Sequence, residues 1–409
     1  MGRRHETSPV SQAELNQTAC PSDAMRCQCH LRKRVACLGL GVLAAFLLCA
    51  MSISAPGKLG SYAPHSHENL QAFATDEESE HRKIHVLAWN DWFGVPIDQA
   101  LEGFANCPDW GCVLTTNRSD FDRASAVLFH PRNLRLEQLK RLMERRRPSQ
   151  RFVLLTSESP MAEEDAAVIR ATPRAFFNTT MSYRQDSDCF RPYGGLELIK
   201  PAPESREGIS KDSDVGKRIL NNKTKLALWA SSHCVTSSKR ERIVKELRRL
   251  GVPLDVWGAC ADDKGESGCR AGDCTSRENN YKFYLAFENA ICKDYVTEKI
   301  WRRLLTVDSV PVVLRRRILA EFVPESAFLA VDDFGSVAEL GRALQRLDKN
   351  DEEYLRFFDY RQLYRSRTEF QSTGFCCLCS LLKNPSEPSK VYENMAQWWI
   401  DGAQCEVPK

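Results

Sequence analysis

The stretch YKFYLAFENAICKDYVTEKIWRRLLTVDSVPVVL, residues Tyr281 to Leu314, decides the fold. Its opening apolar and aromatic run (Tyr281, Phe283, Tyr284, Leu285, Phe287) is too short for a helix and stops at Glu288-Asn289, so it reads as a buried strand. Ile300, Trp301, Leu304 and Leu305 then recur at helical spacing, with Asp294 or Thr297 available as N-cap, and Val310 to Leu314 reads as the next strand. Such a strand, helix, strand unit belongs to a doubly wound parallel sheet, where a ligand lies beyond the carboxyl end of the strand and faces the amides of the helix start. Asn289, Lys293, Tyr295, Glu298 and Lys299 fall there. A lysine in the first helical turn opposes the helix dipole and calls for an anion or a carboxylate beside it. A bound pyrophosphate meets that need; an ordinary solvated charged face is the other reading of the same residues.

Working outward, Lys225–Ala230 reads as a strand, Ser231–Ser238 as a polar loop, and Lys239–Leu250 as a helix with Arg240 at its start, again where an anion is favoured. Leu254–Gly258 is a further strand and turn, Phe328–Phe334 another strand, and Ser336–Asp348 a helix; Asp332-Asp333 reads as a capping turn. In the earlier half, Lys83–Trp89, Ala124–His130 and Arg151–Thr156 are strands and Leu134–Arg147 a basic amphipathic helix. Glu158 follows the third of those strands, at the end where α/β sheets carry their chemistry. The expectation is an α/β protein of two Rossmann-like domains facing a cleft, 83–200 and 224–370, joined by a polar linker, 201–223, and closed by a cysteine-bearing tail, 371–409.

The chain has 409 residues and a formal net charge of +3, but six of its 57 Lys/Arg and three of its 54 Asp/Glu lie in residues 1–34, which leaves 51 of each sign beyond them. A balanced body gives no reason to expect a nucleic-acid partner. Val35–Ser54 is an uncharged run long enough to span a bilayer, preceded by Arg32-Lys33-Arg34. The expectation is a cytosolic tail (1–34), a signal anchor (35–54) and a flexible stem (55–82), with the body lumenal, rather than a cleaved signal peptide. Of 17 cysteines, twelve follow Cys49, an even number that suits disulfides in an oxidising lumen. Cys107 and Cys112 flank a loop that a disulfide could close, Cys260, Cys269 and Cys274 share another, and Cys376-Cys377-Leu378-Cys379 lacks the second pair that a zinc finger needs. On the expected lumenal side sequons begin at Asn117, Asn178 and Asn222, and a fourth at Asn16 lies in the expected cytosolic tail; a glycan at any of the three requires exposure.

FENAICKDYVTEKIW followed by VPVVL resembles the donor-binding signature of the alpha-1,3-fucosyltransferases, an inverting family that uses GDP-fucose. In the earlier half Glu158-Ser159-Pro160, Asn178-Thr179-Thr180, Tyr183-Arg184-Gln185-Asp186-Ser187-Asp188 and Pro192-Tyr193-Gly194 resemble that family's acceptor domain, and the tail resembles invertebrate-type members. The resemblance implies a GT-B arrangement, Glu158 as general base, and Ser232, Arg240, Asn289, Tyr295, Glu298 and Lys299 as donor contacts. His233 stands where the family usually has Asn, which bears on the loop contacts. Asp186 and Asp188 could be read as a metal-binding Asp-x-Asp, but the family neutralises the diphosphate with Arg and Lys, so no metal site and no tightly bound cofactor is expected. The implied reaction moves fucose from GDP-fucose to O3 of a GlcNAc in a glycoprotein glycan, in the Golgi membrane; a membrane-anchored glycan-binding relative that has lost catalysis is the alternative.

Overall fold

In a computed structural model the described residues are 83–108, 111–200, 208–262, 274–367, 370–384 and 390–408. The expected tail, anchor and stem lie outside them, as does Cys269; among the described residues no helix is long and apolar enough to cross a membrane.

The first half is a six-stranded sheet, β1 (Ile84–Ala88), β2 (Cys112–Thr115), β3 (Ala126–Phe129), β4 (Arg151–Leu155), β5 (Thr179–Ser182) and β6 (Cys189–Phe190), in the order β2-β1-β3-β4-β5-β6. Every pairing in it is parallel. β3 and β4 are buried at each residue, as apolar runs covered on both faces should be. The basic helix Leu136–Arg145 turns Leu139 and Leu142 inward and leaves its arginines at the surface. A short β7 (Leu196–Leu198) then leads to the second sheet: β8 (Lys225–Ala230), β9 (Leu254–Trp257), β10 (Tyr281–Leu285), β11 (Val310–Val313) and β12 (Leu329–Ala330), ordered β12-β11-β10-β8-β9 and parallel throughout. In both sheets the first strand lies between the second and the third, so strand order reverses between β1 and β3 and again between β8 and β10. Those reversals open crevices at the carboxyl ends of the strands.

Several expectations change. The stretch read as a linker contains the helix Asp214–Leu220, capped by Ser213 and anchored by Ile219 in the second core; its polar composition hid one buried face. The strand expected over Phe328–Phe334 is only Leu329–Ala330, because Asp333 accepts from Ala330 N at 2.9 Å and bends the chain into a tight turn. Cys107 and Cys112 do not join each other: they pair with Cys376 and Cys379, and Cys189 pairs with Cys377. The helix Phe370–Lys383, reached through β13 (Tyr364–Ser366) paired antiparallel to β7, is thereby stapled to the first sheet. Cys260 pairs with Cys234, and Cys292 with Cys405. Asn117 and Asn222 are exposed, but Asn178 is only 4 % exposed and its amide bridges Phe152 N and Gln150 O at 2.7 and 3.2 Å. That sequon's asparagine serves the pairing of β4 with β5.

The halves meet along a seam. Gln185 N donates to Asp294 at 3.0 Å, Tyr183 packs on Tyr295 with ring centroids 5.0 Å apart, and Gly194 lies so near Trp301 that a Cβ there would come within 2.3 Å of the indole. Arg184, buried, is held by both oxygens of Asp186 at 2.9 and 2.5 Å, donates to the Trp398 carbonyl, and lies 4.3 Å from the Trp398 ring. The tail therefore belongs to the core of the seam.

Candidate active site

Glu158 leaves the carboxyl end of β4 on a short, heavily braced loop. Ser157, before it, accepts from Arg191 Nη1 at 2.8 Å through its hydroxyl and from the Tyr193 hydroxyl through its carbonyl. Burial pushes the Glu158 carboxyl above its ordinary value. Arg132 opposes the shift and Asp165 supports it, followed by two groups of the other half, Lys299 opposing and Glu298 supporting. Glu158 is half-buried, and charges from both halves act on its carboxyl. A raised pKa also moves it toward the operating range of a general base.

On the other side the helix Glu298–Leu305 begins at Thr297, whose own side chain caps nothing. The capping group is Glu288, just past β10: its carboxylate accepts from Thr297 N and Oγ1, both at 2.8 Å, and pairs with Lys299 Nζ at 3.0 Å. Lys299 also reaches Thr297 Oγ1 at 2.9 Å and Glu298 at 3.3 Å. Desolvation works against the Lys299 ammonium, but Glu288 and Glu298 outweigh it and hold its pKa above the ordinary value. The carboxylate demanded by a lysine at a positive helix end is thus Glu288, a residue the sequence reading passed over as a strand boundary. Its signal was present, an acid directly after a buried strand and nine positions before a helix start.

Lys299 and Glu298 are accessible, at 23 % and 64 % of their side chains, yet both are desolvated by surrounding protein. Accessible surface inside crowded surroundings describes the wall of a concavity. For Glu298 the desolvation is overcome by Lys299, which keeps the carboxyl below its usual range. A small recess, lined by Glu288, Tyr295, Val313 and Arg315, lies past β10 and β11.

The remaining residues divide. Arg240 is 3 % exposed; Nη1 donates to Phe287 O at 2.6 Å, and Nη2 to Ser231 Oγ and His233 O at 2.7 and 3.1 Å. Its terminal nitrogens therefore clamp the loop after β8 to the loop after β10, and its charge opposes that of Lys299. The same loops are joined by Ser238 N and Ser237 Oγ, each donating to Asn289 O at 3.1 Å. Asn289 Oδ1 is buried without a partner. Ser232 is exposed at the loop tip, which the Cys234–Cys260 disulfide pins. Tyr295 is buried in the seam against Tyr183. Lys293 pairs with Asp186 at 3.6 Å.

Asp186 and Asp188 are each engaged by groups of the protein itself. Asp186 is engaged by Arg184 and Lys293, and Asp188 by Thr180, Tyr392 and Lys390, the last two at 2.8 Å. Among the described residues no cluster of His, Cys, Asp or Glu is arranged to hold a metal ion.

Two doubly wound sheets, with Glu158 after a strand of the first and Lys299 at a helix start of the second, make an α/β protein whose relatives name its class. The descriptions "Fucosyltransferase, N-terminal" and "Glycosyltransferase family 10 (fucosyltransferase) C-term" match residues 81–194 and 220–398. The chain is 31 % identical over 332 residues to alpha-(1,3)-fucosyltransferase fut-5 of Caenorhabditis elegans, covering 77 % of this chain and 82 % of that one. It is 33 % identical over 327 residues to the human 4-galactosyl-N-acetylglucosaminide 3-alpha-L-fucosyltransferase FUT5, covering 78 % and 80 %. With the bovine 3-galactosyl-N-acetylglucosaminide 4-alpha-L-fucosyltransferase FUT3 the identity is 34 % over 332 residues, covering 80 % and 84 %. A crystal structure of an alpha1,3-fucosyltransferase shares the fold at a TM-score of 0.50 and 16 % identity, covering 76 % of this chain and 92 % of that one. The chain belongs to glycosyltransferase family 10, the fucosyltransferases, and fucosyl transfer from a donor is the activity this membership carries.

Proposed function

We propose that the protein transfers L-fucose from GDP-fucose to O3 of a GlcNAc residue in a glycoprotein glycan, with inversion, in the two-domain arrangement called GT-B. The observation that carries this reading is the placement of Glu158 just past β4 and of Lys299 at the helix start past β10, on the two sides of the seam that Gln185–Asp294 and Tyr183–Tyr295 close. Glu158 takes the proton of the acceptor hydroxyl as its oxygen attacks the anomeric carbon, and the bond to the GDP oxygen breaks on the opposite face. Lys299 offsets the charge that grows on the departing diphosphate, while Arg240 and Glu288 keep the two loops and the helix start in place. One carboxylate suffices, since no second acid is needed to protonate a phosphate leaving group. Donor contacts from Ser232, Asn289, Tyr295 and Glu298 belong to the same proposal. So do a lumenal body on a Golgi signal anchor at 35–54 and a reaction without a divalent metal.

Relatives named for 3-linked and 4-linked products both match, so the position of attack is tested directly. The purified protein is given GDP-fucose with a galactosyl-N-acetylglucosaminide oligosaccharide or a chitobiose-core glycopeptide. Acceptor-dependent GDP release and a 3-linked fucose by mass spectrometry and NMR are expected. A 4-linked product, or GDP release indifferent to acceptor, would overturn the proposal.

A further inference from the structure

Two of the contacts that close the seam, Gln185 with Asp294 and Tyr183 with Tyr295, are made by residues outside both the loop of Glu158 and the helix Glu298–Leu305. A third connection joins that loop to that helix directly. It runs through two adjacent residues, Tyr193 and Gly194.

At one end of it is the acid. Ser157, buried, stands directly before Glu158; its hydroxyl accepts from Arg191 Nη1 at 2.8 Å and its carbonyl from the Tyr193 hydroxyl. The carbonyl of Ser157 belongs to the peptide unit that contains Glu158 N and Cα, and that unit is planar. Holding its oxygen therefore fixes the point from which the Glu158 side chain departs.

At the other end Gly194 rests on Trp301. A Cβ at Gly194 would overlap Cβ, Cγ and Cδ2 of the tryptophan, so the bare backbone is the contact surface. Trp301 is buried in the first turn of the helix that starts with Glu298 and Lys299, and its indole N–H reaches back to Val296 O at 3.4 Å. How closely Gly194 and Trp301 approach sets how near that helix start lies to the first half.

A connection transmits position only if it is stiff, and this one is pinned on both sides. Arg191 N donates to Ser182 O at 2.7 Å as β6 ends, two residues after the half-cystine Cys189. Beyond Gly194, Gly195 O accepts from Arg367 N at 3.3 Å, and β7 then pairs with β13. The Tyr193 ring packs against the cores of both halves. Burial pushes its hydroxyl well up, and the carboxylates that add to the shift are Glu158 from the first half and Glu298 and Glu288 from the second. Tyr193 thus stands between the acid and the helix start.

We propose that Tyr193 and Gly194 are positioning residues, a strut that fixes the separation of the Glu158 carboxylate from the Lys299 ammonium. A direct displacement needs the base, the acceptor oxygen, the anomeric carbon and the leaving oxygen in register, and a misplacement of about 1 Å costs on the order of 10² in rate. The inference rests on the fucosyl-transfer reading above, which puts the proton acceptor at Glu158 and the diphosphate at Lys299. Close packing by itself accounts for a glycine beside Trp301. It does not account for the neighbouring tyrosine, whose hydroxyl holds the peptide unit that carries the base.

The test uses Tyr193→Phe, which keeps the ring in both cores and removes only the bond to Ser157 O, and Gly194→Ala, which drives the backbone away from Trp301. Steady-state kinetics use GDP-fucose with the two acceptors named above, and calorimetry with GDP counts donor sites, so that kcat is expressed per site. Tyr193→Phe should lower kcat per site about tenfold, the size of one hydrogen bond, and Gly194→Ala about a hundredfold. In Tyr193→Phe the Kd for GDP and the acceptor KM should stay within about twofold of wild type, as for an interaction felt only in the transition state. If Gly194→Ala does not fold, Tyr193→Phe decides. Fewer GDP sites with kcat per site unchanged marks a merely structural role and overturns the strut. A GDP affinity that falls in step with kcat overturns it too, and either result leaves fucosyl transfer intact. A wild type that binds GDP yet fucosylates neither acceptor overturns the transfer reading, and the strut with it.

Discussion

Replacing Lys299 by methionine removes a charge and keeps the length of the side chain, and three effects of different size should follow. The ammonium stands 3.0 Å from Glu288, 3.3 Å from Glu298 and 2.9 Å from Thr297 Oγ1. Glu288 keeps both its bonds to Thr297 in the variant, so the helix start survives and the loss is one partly buried ion pair. Discounted for its solvent access, that loss is about 1–2 kcal/mol, or roughly 2–3 °C in Tm for a body of this size. Catalysis should suffer more: loss of the group that offsets leaving-group charge costs about 10²–10³ in kcat, the effect of deleting one oxyanion donor. The third effect discriminates best. Lys299 lowers the proton affinity of Glu158 from across the crevice and Glu298 raises it. With the cation gone the anion is unopposed, so Glu158 holds its proton to higher pH and the acid limb of the pH profile of kcat/KM for acceptor moves up. The measurement is that profile, at saturating GDP-fucose, for wild type and Lys299→Met. An acid limb at the same pH in both would show that the two residues share no electrostatic environment, and the cleft argument would be refuted.

Glu158→Gln should lower kcat by about 10²–10⁴ with donor KM unchanged, and should raise Tm at neutral pH. The folded state there carries a carboxylate that burial disfavours, a penalty that grows as pH rises through its elevated pKa; a lowered Tm would contradict this. His130 titrates near 6.5 when unfolded and at about 3 when folded, so its contribution is full above pH 6.5 and falls by up to about 5 kcal/mol as pH drops through that window. His130→Phe should flatten Tm against pH between 7 and 4, and parallel curves would exclude the assignment. Removing the Cys292–Cys405 disulfide, which joins residues 113 apart, should cost about 3–4 kcal/mol, read as a lower urea midpoint under non-reducing conditions. It should also raise the KM for GDP-fucose, since Lys293 N donates to Ala403 O at 2.8 Å beside the donor loop.

Local patterning made much of this fold legible. The strands at Lys225–Ala230 and Arg151–Leu155 and the helix Glu298–Leu305 follow from buried apolar runs and 3.6-residue spacing, properties that neighbours in sequence carry by themselves. Short elements were hidden: Asp214–Leu220 buries only Gly216 and Ile219, and Leu329–Ala330 is two residues long. The candidate site divides the same way. Glu158, Glu298 and Lys299 stand at strand ends or helix starts, where sequence alone marks positions for chemistry. The clamp of Glu288 on Thr297 and Lys299, the withdrawal of Arg240 beneath two loops and the turn of Lys293 toward Asp186 depend on side-chain direction and on partners far along the chain.

The amino-acid sequence by itself determined the alternation of strand and helix, the even set of cysteines and the residues that can carry charge at the ends of elements. Periodicity, capping and composition act over a few residues, and no distant partner is needed to read them. Tertiary structure alone decided which cysteines join, how the chain's end enters the seam, and which carboxylate answers Lys299. These are contests among several chemically equivalent partners, and the outcome depends on which ones the packed sheets bring within about 3 Å.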